Sequence, residues 1–176
     1  MIVLEGPDGA GKTTLANYLF DKLNLDINPK VVNHQAGHDN SLKEVIESTL
    51  DKNFQMRIWD RFALISGPIY ADVLQDKYQM NLYADKTWHE LQWRKMTFIV
   101  RPIVIMCLPP VTTVISNIRD DPENEVVLPH ITEIWIRYQK VFFSMPEAIH
   151  YDYRQKFAKE RVLGKVYDEL IARGMV

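Results

Sequence analysis

Short apolar segments alternate with longer amphipathic segments along the chain. The apolar segments have the length of buried strands, and they lie at residues 2–5, 30–33, 54–59, 103–108 and 148–151. Between them, apolar side chains recur every three or four positions, which is the spacing of an amphipathic helix. The pattern therefore predicts a chain in which strands and helices alternate.

The first predicted helix starts at Lys12 and carries Leu15, Leu19 and Leu23 on one side. The other predicted helices lie at residues 41–52, 69–81, 85–98, 111–118 and 131–142, followed by a C-terminal helix through residues 163–171. Strands joined by helices indicate right-handed crossovers and a parallel sheet. We expect one α/β domain over residues 1–176, with a five-stranded parallel sheet and helices on both faces.

Composition and charge narrow the class of protein. Of the 176 residues, 47% are hydrophobic and 25% are charged, which is typical of a globular domain. The formal net charge of −2 argues against a large surface for duplex DNA, so nucleic acid is not an expected partner. A single cysteine, Cys107, excludes an intramolecular disulfide and favours a reducing compartment. No apolar segment is long enough to span a membrane and no basic segment follows Met1, so we expect a cytoplasmic protein without a signal peptide.

Three of the seven glycines lie between positions 6 and 11. Residues 6–13 carry the complete pattern of a phosphate-binding loop, or P-loop, which is Gly-x-x-x-x-Gly-Lys-Thr. Glycines allow backbone N–H groups to converge on an anion, and the helix that follows adds its positive N-terminal end. Lys12 can reach the β- and γ-phosphates of a nucleotide, and the Thr13 hydroxyl can ligate Mg²⁺. The expected ligands are ATP and Mg²⁺.

Two segments resemble the thymidylate kinases. Residues 4–15 are similar to the E-G-x-D-G-[SA]-G-K-[ST]-T string at the N-terminus of that family. Residues 59–62, together with Ser66, resemble its D-R-[YFH]-x-x-x-S segment and the related E-R-S segment of deoxynucleoside kinases. Beyond these segments, the resemblance covers only the order of elements. It implies a P-loop kinase fold with a short lid at residues 119–128.

The resemblance implies a role for each part of the donor site. The residues that would bind ATP are Gly6, Gly9, Ala10, Gly11, Lys12, Thr13 and Thr14, with Arg154 near the adenine. Thr13 and Asp60 would hold the magnesium ion. Some thymidylate kinases carry an arginine inside the phosphate loop where this chain has Ala10, so Arg119 in the lid would supply the cation at the transferring group.

The resemblance also implies an acceptor site. Arg61 would bind the phosphate of the acceptor through its planar guanidinium. Asp8 would contact the acceptor sugar or a water on its phosphate. Phe62 would form part of the pocket wall, and Ser66 belongs to the same segment. The residues predicted to act in catalysis are Lys12, Asp8, Asp60, Arg61 and Arg119.

Other classes of phosphate-loop protein fit the sequence less well. A GTPase would need D-x-x-G and N-K-x-D motifs, and neither string occurs outside the phosphate loop. A motor ATPase or a helicase would need a longer chain. A small phosphoryl-transfer kinase remains, and the non-enzymatic alternative is a nucleotide-binding switch, which measurable ATP turnover with any acceptor would exclude.

The acceptor is open to three interpretations. Residues 33–36, Asn-His-Gln-Ala, lack the carboxylate that deoxynucleoside kinases place there and also lack the R-E-P-G string of thymidylate kinases. A nucleoside monophosphate, in particular a thymidylate-like pyrimidine nucleotide, is favoured because its oxygen is already anionic and needs no base. The alternatives are the sugar hydroxyl of a deoxynucleoside and a nucleic-acid end or modified base. Thymidylate kinase-like proteins are commonly dimers, so a homodimer is compatible with the resemblance.

Overall fold

A parallel β-sheet with the strand order β2-β3-β1-β4-β5 forms the centre of the computed structural model. The structure describes residues 1–23, 30–33, 56–74 and 86–176. The strands in these ranges are β1 (Ile2–Glu5), β2 (Lys30–Asn33), β3 (Arg57–Asp60), β4 (Ile103–Cys107) and β5 (Ile149–Tyr151). The middle strand, β1, pairs with β3 on one side and with β4 on the other, so that Leu4 lies opposite both Asp60 and Ile105.

Helices connect these strands in the order that the hydrophobic pattern predicts. In the described ranges they are α1 (Lys12–Leu23), α2 (Ala63–Leu74), α3 (Lys86–Ile99), α4 (Val111–Ile118), α5 (Ile131–Phe143) and α6 (Ala158–Ala172). The helix predicted at residues 41–52 lies outside the described residues. None of the helices in the described ranges has both the length and the apolar character that crossing a bilayer requires.

Helix α2 begins earlier than the sequence pattern indicates. The prediction starts this helix at position 69, after Gly67 and Pro68, whereas the helix begins at Ala63. Most of its side chains are buried, so the segment has no polar face that would reveal a helical period. Pro68 lies inside the helix, where it cannot donate a hydrogen bond to the carbonyl of Leu64. The predicted end of this helix, at position 81, lies outside the described residues.

Each face of the sheet has its own hydrophobic core, because successive side chains of a strand point to opposite faces. Ile2 and Leu4 pack towards α1 and α6, whereas Val3 packs towards α2, α3 and α5. The buried partners are Leu15, Leu19, Val162 and Val166 on the first face and Ile69, Met96, Ile134 and Tyr138 on the second. The prediction of a parallel sheet flanked by helices is confirmed.

The segment predicted to be a lid, residues 119–128, is more ordered than the charged loop that the sequence indicates. It contains a turn of 3-10 helix at Pro122–Asn124, and a second turn follows at Leu128–His130. The Asp121 carboxylate accepts hydrogen bonds from the Glu123 N–H at 3.0 Å and from the Asn124 side chain at 2.7 Å. An aspartate followed by proline favours the start of such a turn, which explains the difference.

The chain turns sharply where β1 ends and the phosphate loop begins. Gly6 has a φ of 141°, and a Cβ placed there would lie 2.2 Å from the carbonyl oxygen of Cys107 in β4. Only glycine allows two backbones to approach so closely. The loop therefore lies at the carboxyl edge of the sheet, where the ends of β1, β3 and β4 meet, and ligands bind at this edge of open parallel sheets.

Candidate active site

The phosphate loop joins β1 to α1 and encloses the side chain of Lys12. Gly9 and Gly11 have φ values of 72° and 83°, in the left-handed region that glycine adopts without strain. The Lys12 ammonium donates a hydrogen bond to the Pro7 carbonyl oxygen at 2.7 Å. Burial, together with the nearby charge of Arg61, lowers the pKa of Lys12 to about 8. The loop thus holds a buried cation through its own backbone.

Two oxygen-bearing side chains lie side by side where α1 begins and β3 ends. The Thr13 hydroxyl donates a hydrogen bond to the Asp60 carboxylate at 2.5 Å. The Thr13 side chain is exposed and Asp60 is buried, yet both line the same cavity. Mg²⁺ is bound in proteins by carboxylate and other oxygen atoms together with waters and phosphate oxygens. The residues present therefore fit a magnesium ion.

Arg61 follows β3 in a left-handed turn with a φ of 70°. Its backbone N–H donates a hydrogen bond to the Leu4 carbonyl oxygen of β1 at 3.0 Å. Its guanidinium forms an ion pair with Asp8 and lies 4.9 Å from the centre of the Tyr70 ring. The Tyr70 hydroxyl donates a hydrogen bond to the other oxygen of Asp8 at 2.8 Å. A cation, a carboxylate and a phenol thus form one cluster, the Arg61–Asp8–Tyr70 cluster, beside the phosphate loop.

The cluster keeps Asp8 ionised. Burial alone would raise the pKa of this carboxyl, but the charges of Arg61 and Lys12 and the hydrogen bond from Tyr70 hold it below its usual value. Asp8 lines the cavity as well, so its carboxylate is available to a ligand. At neutral pH the cavity therefore presents a paired anion and cation next to each other.

A second carboxylate, Glu5, is fully buried at the end of β1. One of its oxygens accepts a hydrogen bond from the Phe62 N–H at 2.6 Å, and the other accepts one from the Tyr138 hydroxyl at 3.1 Å. Burial raises the pKa of Glu5 to about 7, in spite of the hydrogen bond from Phe62 and the nearby charges of Lys12 and Arg61. Glu5 does not line the cavity, so it acts on the site only through its neighbours.

Asn117 of α4 holds the phosphate loop from the opposite side. Its side-chain amide donates hydrogen bonds to the Gly9 carbonyl oxygen at 2.7 Å and to the Tyr153 hydroxyl at 2.8 Å. A Cβ at Gly9 would lie 2.6 Å from the Ile118 side chain, so the loop packs directly on the end of α4. These contacts fix the Gly9 peptide and link the loop to the segment after β5.

The phosphate loop, the Thr13–Asp60 pair and the Arg61–Asp8–Tyr70 cluster open onto one cavity of about 1120 Å³. Sites for a small ligand measure roughly 300–1,000 Å³, so this cavity lies slightly above the upper end of that range. Its described walls consist of residues 8–14, Asp60, Arg61, Tyr70, Leu74, Asn117, Glu123, Asn124, Val126, Val127, Tyr151, Tyr153 and Lys159.

Phe62 and Ser66, which the sequence assigns to the acceptor pocket, do not line this cavity. Phe62 is fully buried, and its ring packs edge-on against Trp59 with the ring centres 5.3 Å apart. The Ser66 hydroxyl is buried in α2 and donates a hydrogen bond to the Phe62 carbonyl at 3.1 Å. After the left-handed turn at Arg61 the chain enters the core, which explains why neighbours in the sequence are not neighbours in the site.

Arg119 and Arg154 are exposed and also lie outside the walls of the cavity. The Arg154 guanidinium forms an ion pair with Asp152 at 2.8 Å beside β5. Arg119 comes two positions after Asn117, which does line the cavity. Side chains two positions apart on a helix do not face each other, so the orientation that brings Asn117 to the cavity turns Arg119 away from it.

The sequence pattern did not single out Glu5, Tyr70, Tyr138 or Asn117 as site residues. Glu5 carries a usable signal, because a carboxylate in an otherwise apolar strand must find partners. Tyr70 belongs to the helix whose start was misplaced. Tyr138 and Asn117 carry no local signal, since their partners in the site lie 133 and 108 positions away in the chain.

No model of a protein family matches the sequence, and no curated protein is significantly similar to it. Solved structures share its fold. The YorR protein from Bacillus subtilis, solved in complex with phosphorylated GDP, matches with a TM-score of 0.64 over 98% of this chain and 97% of its own, at 18% sequence identity.

A deoxyadenosine kinase from M. mycoides with bound dATP matches with a TM-score of 0.59 over 94% of this chain and 98% of its own, at 18% identity. The same enzyme with bound dCTP matches with a TM-score of 0.59 over 96% of this chain and 100% of its own, at 17% identity. The chain therefore shares its fold with these proteins, one of which is a deoxyadenosine kinase. The expected P-loop kinase fold is thereby confirmed, whereas the closer resemblance to thymidylate kinases stays a prediction.

Proposed function

We propose that this protein is a nucleotide kinase that transfers the γ-phosphoryl group of ATP to a nucleoside or deoxynucleoside monophosphate. Among these acceptors we favour a thymidylate-like pyrimidine nucleotide. One observation carries the proposal: the phosphate loop and the Arg61–Asp8–Tyr70 cluster open onto the same cavity. The donor would bind in the part of the cavity next to the phosphate loop, and the acceptor would bind in the part next to the Arg61–Asp8–Tyr70 cluster.

The loop supports the donor half of the proposal. Its backbone N–H groups lie at the N-terminus of α1, where the helix dipole favours an anion. The Lys12 ammonium, which bonds the Pro7 carbonyl oxygen at 2.7 Å, would turn to the β- and γ-phosphate oxygens. Thr13 and Asp60 would hold the magnesium ion, which neutralises charge on the phosphates when bound.

The Arg61–Asp8–Tyr70 cluster supports the acceptor half. The bond between the γ-phosphorus and its bridging oxygen breaks, and a bond to the acceptor oxygen forms. A monophosphate already carries an anionic oxygen, so no base has to remove a proton. Arg61 would exchange part of its contact with Asp8 for this phosphate, because a guanidinium binds phosphate through two parallel hydrogen bonds. Arg119 would reach the transferring group only if residues 119–128 closed over the cavity.

The sugar hydroxyl of a deoxynucleoside is the second candidate acceptor, and Asp8 favours it. A hydroxyl must lose a proton as it attacks, and a carboxylate that is ionised and faces the cavity can take that proton. Three of the similar structures are of an enzyme named deoxyadenosine kinase. The two candidates differ in the group that lies beside Arg61, a phosphate in the first and a hydroxyl in the second.

Replacing Asn117 by alanine is expected to raise the KM for ATP about five- to tenfold, because a hydrogen bond of this kind contributes roughly 1 kcal/mol. The reason is that the Gly9 peptide loses the amide that fixes it. Steady-state kinetics at varied ATP concentration measure the change. Asn17→Ala, at an exposed position of α1, is the matched control. A KM for ATP equal to that of the wild type in Asn117→Ala would contradict the role of Asn117 in the donor site.

A panel of acceptors with labelled ATP tests the proposed function. The panel contains the four deoxynucleosides, their 5′-monophosphates, the ribonucleotide counterparts and a short oligonucleotide with a free 5′-hydroxyl. We expect labelled product from the monophosphates, with thymidine monophosphate among the best acceptors. Product from deoxynucleosides alone would replace the first candidate by the second, and product from the oligonucleotide alone would reject both.

The panel needs a control for contaminating kinases. The variant Lys12→Ala, purified in the same way, shows how much product does not come from this protein. Equal product from the wild type and from Lys12→Ala, or no product with any acceptor, would contradict the proposal that the protein is a kinase.

A further inference from the structure

Two consecutive residues of β1 hold the turn that carries Arg61. The N–H of Arg61 bonds the Leu4 carbonyl at 3.0 Å, and the next N–H, that of Phe62, bonds the Glu5 carboxylate at 2.6 Å. The first contact uses the backbone of β1 and the second uses a side chain. The two peptide groups that flank the Cα of Arg61 are therefore both tied to the central strand.

The turn needs such support because its backbone is strained. Arg61 has a φ of 70°, in the left-handed region that disfavours a residue with a Cβ. In this backbone conformation the guanidinium reaches Asp8 and the cavity, since the side chain leaves the turn in the direction that φ sets. If the N–H of Phe62 lost its acceptor, the turn could relax and the guanidinium would move.

Tyr138 orients the Glu5 carboxylate. Its hydroxyl bonds the second oxygen of Glu5 at 3.1 Å, and both side chains are fully buried. The Tyr138 ring packs edge-on against Tyr70, with the ring centres 6.4 Å apart, and Tyr70 in turn bonds Asp8. The contacts therefore form a closed ring. Tyr138 of α5 bonds Glu5, and Glu5 bonds the Arg61 turn. Arg61 pairs with Asp8, Asp8 bonds Tyr70, and Tyr70 packs against Tyr138.

We propose that Glu5, oriented by Tyr138, is a positioning residue that sets the Arg61 guanidinium for the acceptor. The inference rests on the proposed kinase function. Glu5 is fully buried and does not line the cavity, so it acts through the N–H of Phe62 and touches no substrate. Use of the acceptor should therefore depend on this pair of residues more strongly than use of ATP does.

The variant Tyr138→Phe tests this directly, because it removes one hydroxyl and keeps the ring. We expect kcat/KM for the acceptor to fall about five- to tenfold, the effect of one lost hydrogen bond, while the KM for ATP stays within about twofold of the wild type. Tyr167→Phe is the matched control, since the Tyr167 hydroxyl bonds the Lys22 carbonyl on the other face of the sheet. Equal changes for donor and acceptor, or an acceptor kcat/KM equal to that of the wild type, would overturn the proposal.

Two variants of Glu5 separate hydrogen bonding from charge. In Glu5→Gln the side-chain oxygen can still accept from the Phe62 N–H, and the amide can donate to the Tyr138 hydroxyl. We expect this variant to keep kcat/KM for the acceptor within about threefold of the wild type. Glu5→Leu loses both bonds, so its kcat/KM for the acceptor should be at least as low as that of Tyr138→Phe. A Gln variant as impaired as the Leu variant would overturn the positioning role. If Glu5→Leu does not fold, Tyr138→Phe and Glu5→Gln carry the test.

Amide hydrogen exchange of residues 61–66 distinguishes a failure of this inference from a failure of the proposed function. The exchange of this segment depends on the bond between the Phe62 N–H and Glu5, and it can be measured without any acceptor. Faster exchange in Tyr138→Phe than in the wild type supports the inference, and equal exchange overturns it. Absence of transfer by the wild type with every acceptor would overturn the kinase proposal, and the exchange measurement would still show whether Tyr138 and Glu5 hold the Arg61 turn.

Discussion

Replacing Lys12 by alanine is expected to lower the rate of phosphoryl transfer about a thousandfold, the size of effect seen when a preorganised charge is removed from the reacting group. The Lys12 ammonium is the cation enclosed by the phosphate loop, and it sits in a water-poor position where its field is little screened. The loss should appear in kcat, because charge develops on the phosphates during transfer. Transfer of label from ATP under saturating conditions measures it.

The control for this variant is Lys22→Ala, which removes an exposed lysine from the same helix. Lys22→Ala should transfer phosphate at the rate of the wild type. Circular dichroism shows whether Lys12→Ala keeps its secondary structure, which we expect because, within the described residues, the hydrogen bond of the ammonium goes to the Pro7 carbonyl of the loop. A folded Lys12→Ala variant with more than about a tenth of the wild-type rate would contradict the assignment of the donor site, since one oxyanion-stabilising group contributes far more than that.

Replacing Arg61 by alanine should lower kcat/KM for the acceptor about a hundredfold or more, because the acceptor phosphate would lose its guanidinium partner and truncating one partner of a hydrogen-bonded charge pair costs about 2–5 kcal/mol. The KM for ATP should change little, since the loop, Thr13 and Asp60 remain in place. The fall in acceptor kcat/KM includes an indirect contribution, because the variant also removes the ion-pair partner of Asp8. Initial rates at varied acceptor and at varied ATP concentrations separate the two effects.

Arg61→Lys and Arg94→Ala complete this experiment. Lysine keeps the charge but loses the planar pair of N–H donors, so Arg61→Lys should recover only part of the acceptor kcat/KM. Arg94 lies on the exposed side of α3 in an ion pair with Glu90, and its replacement should have no effect on transfer. A loss of ATP affinity in Arg61→Ala as large as its loss of acceptor kcat/KM would place Arg61 on the donor side of the cavity.

The phosphate loop and the order of strands and helices were predictable because they depend on local patterns. Gly6, Gly11 and Lys12 belong to one short string whose conformation its own residue types dictate. The start of helix α2 is the main difference between prediction and structure. A helix buried on nearly all sides shows no hydrophobic period, and Gly67 and Pro68 are residue types that disfavour a helix. Where a segment has one polar and one apolar face, as α5 has, the predicted and observed helices agree closely.

The site was predictable as far as it follows from the parallel sheet. Asp8, Lys12, Thr13, Asp60 and Arg61 come together because the carboxyl ends of β1 and β3 are neighbours. Position along the chain could not show that the turn at Arg61 sends Phe62 and Ser66 into the core. Position along the chain also could not show that Asn117 and Tyr138 take part. Their side chains bond Gly9 and Glu5, which are more than a hundred positions away in the sequence.

The single cysteine, Cys107, is buried at the end of β4, and its backbone carbonyl packs against Gly6 at the start of the phosphate loop. Burial raises the pKa of its thiol well above the ordinary range, so the native protein holds almost no thiolate to react with an alkylating reagent. Alkylation therefore requires the core around Cys107, which α1 and α6 cover, to open first, and its rate measures how often it opens. The chain thus contains a natural chemical reporter at the carboxyl edge of the sheet, and a nucleotide that binds the loop should slow the labelling of that one sulfur atom.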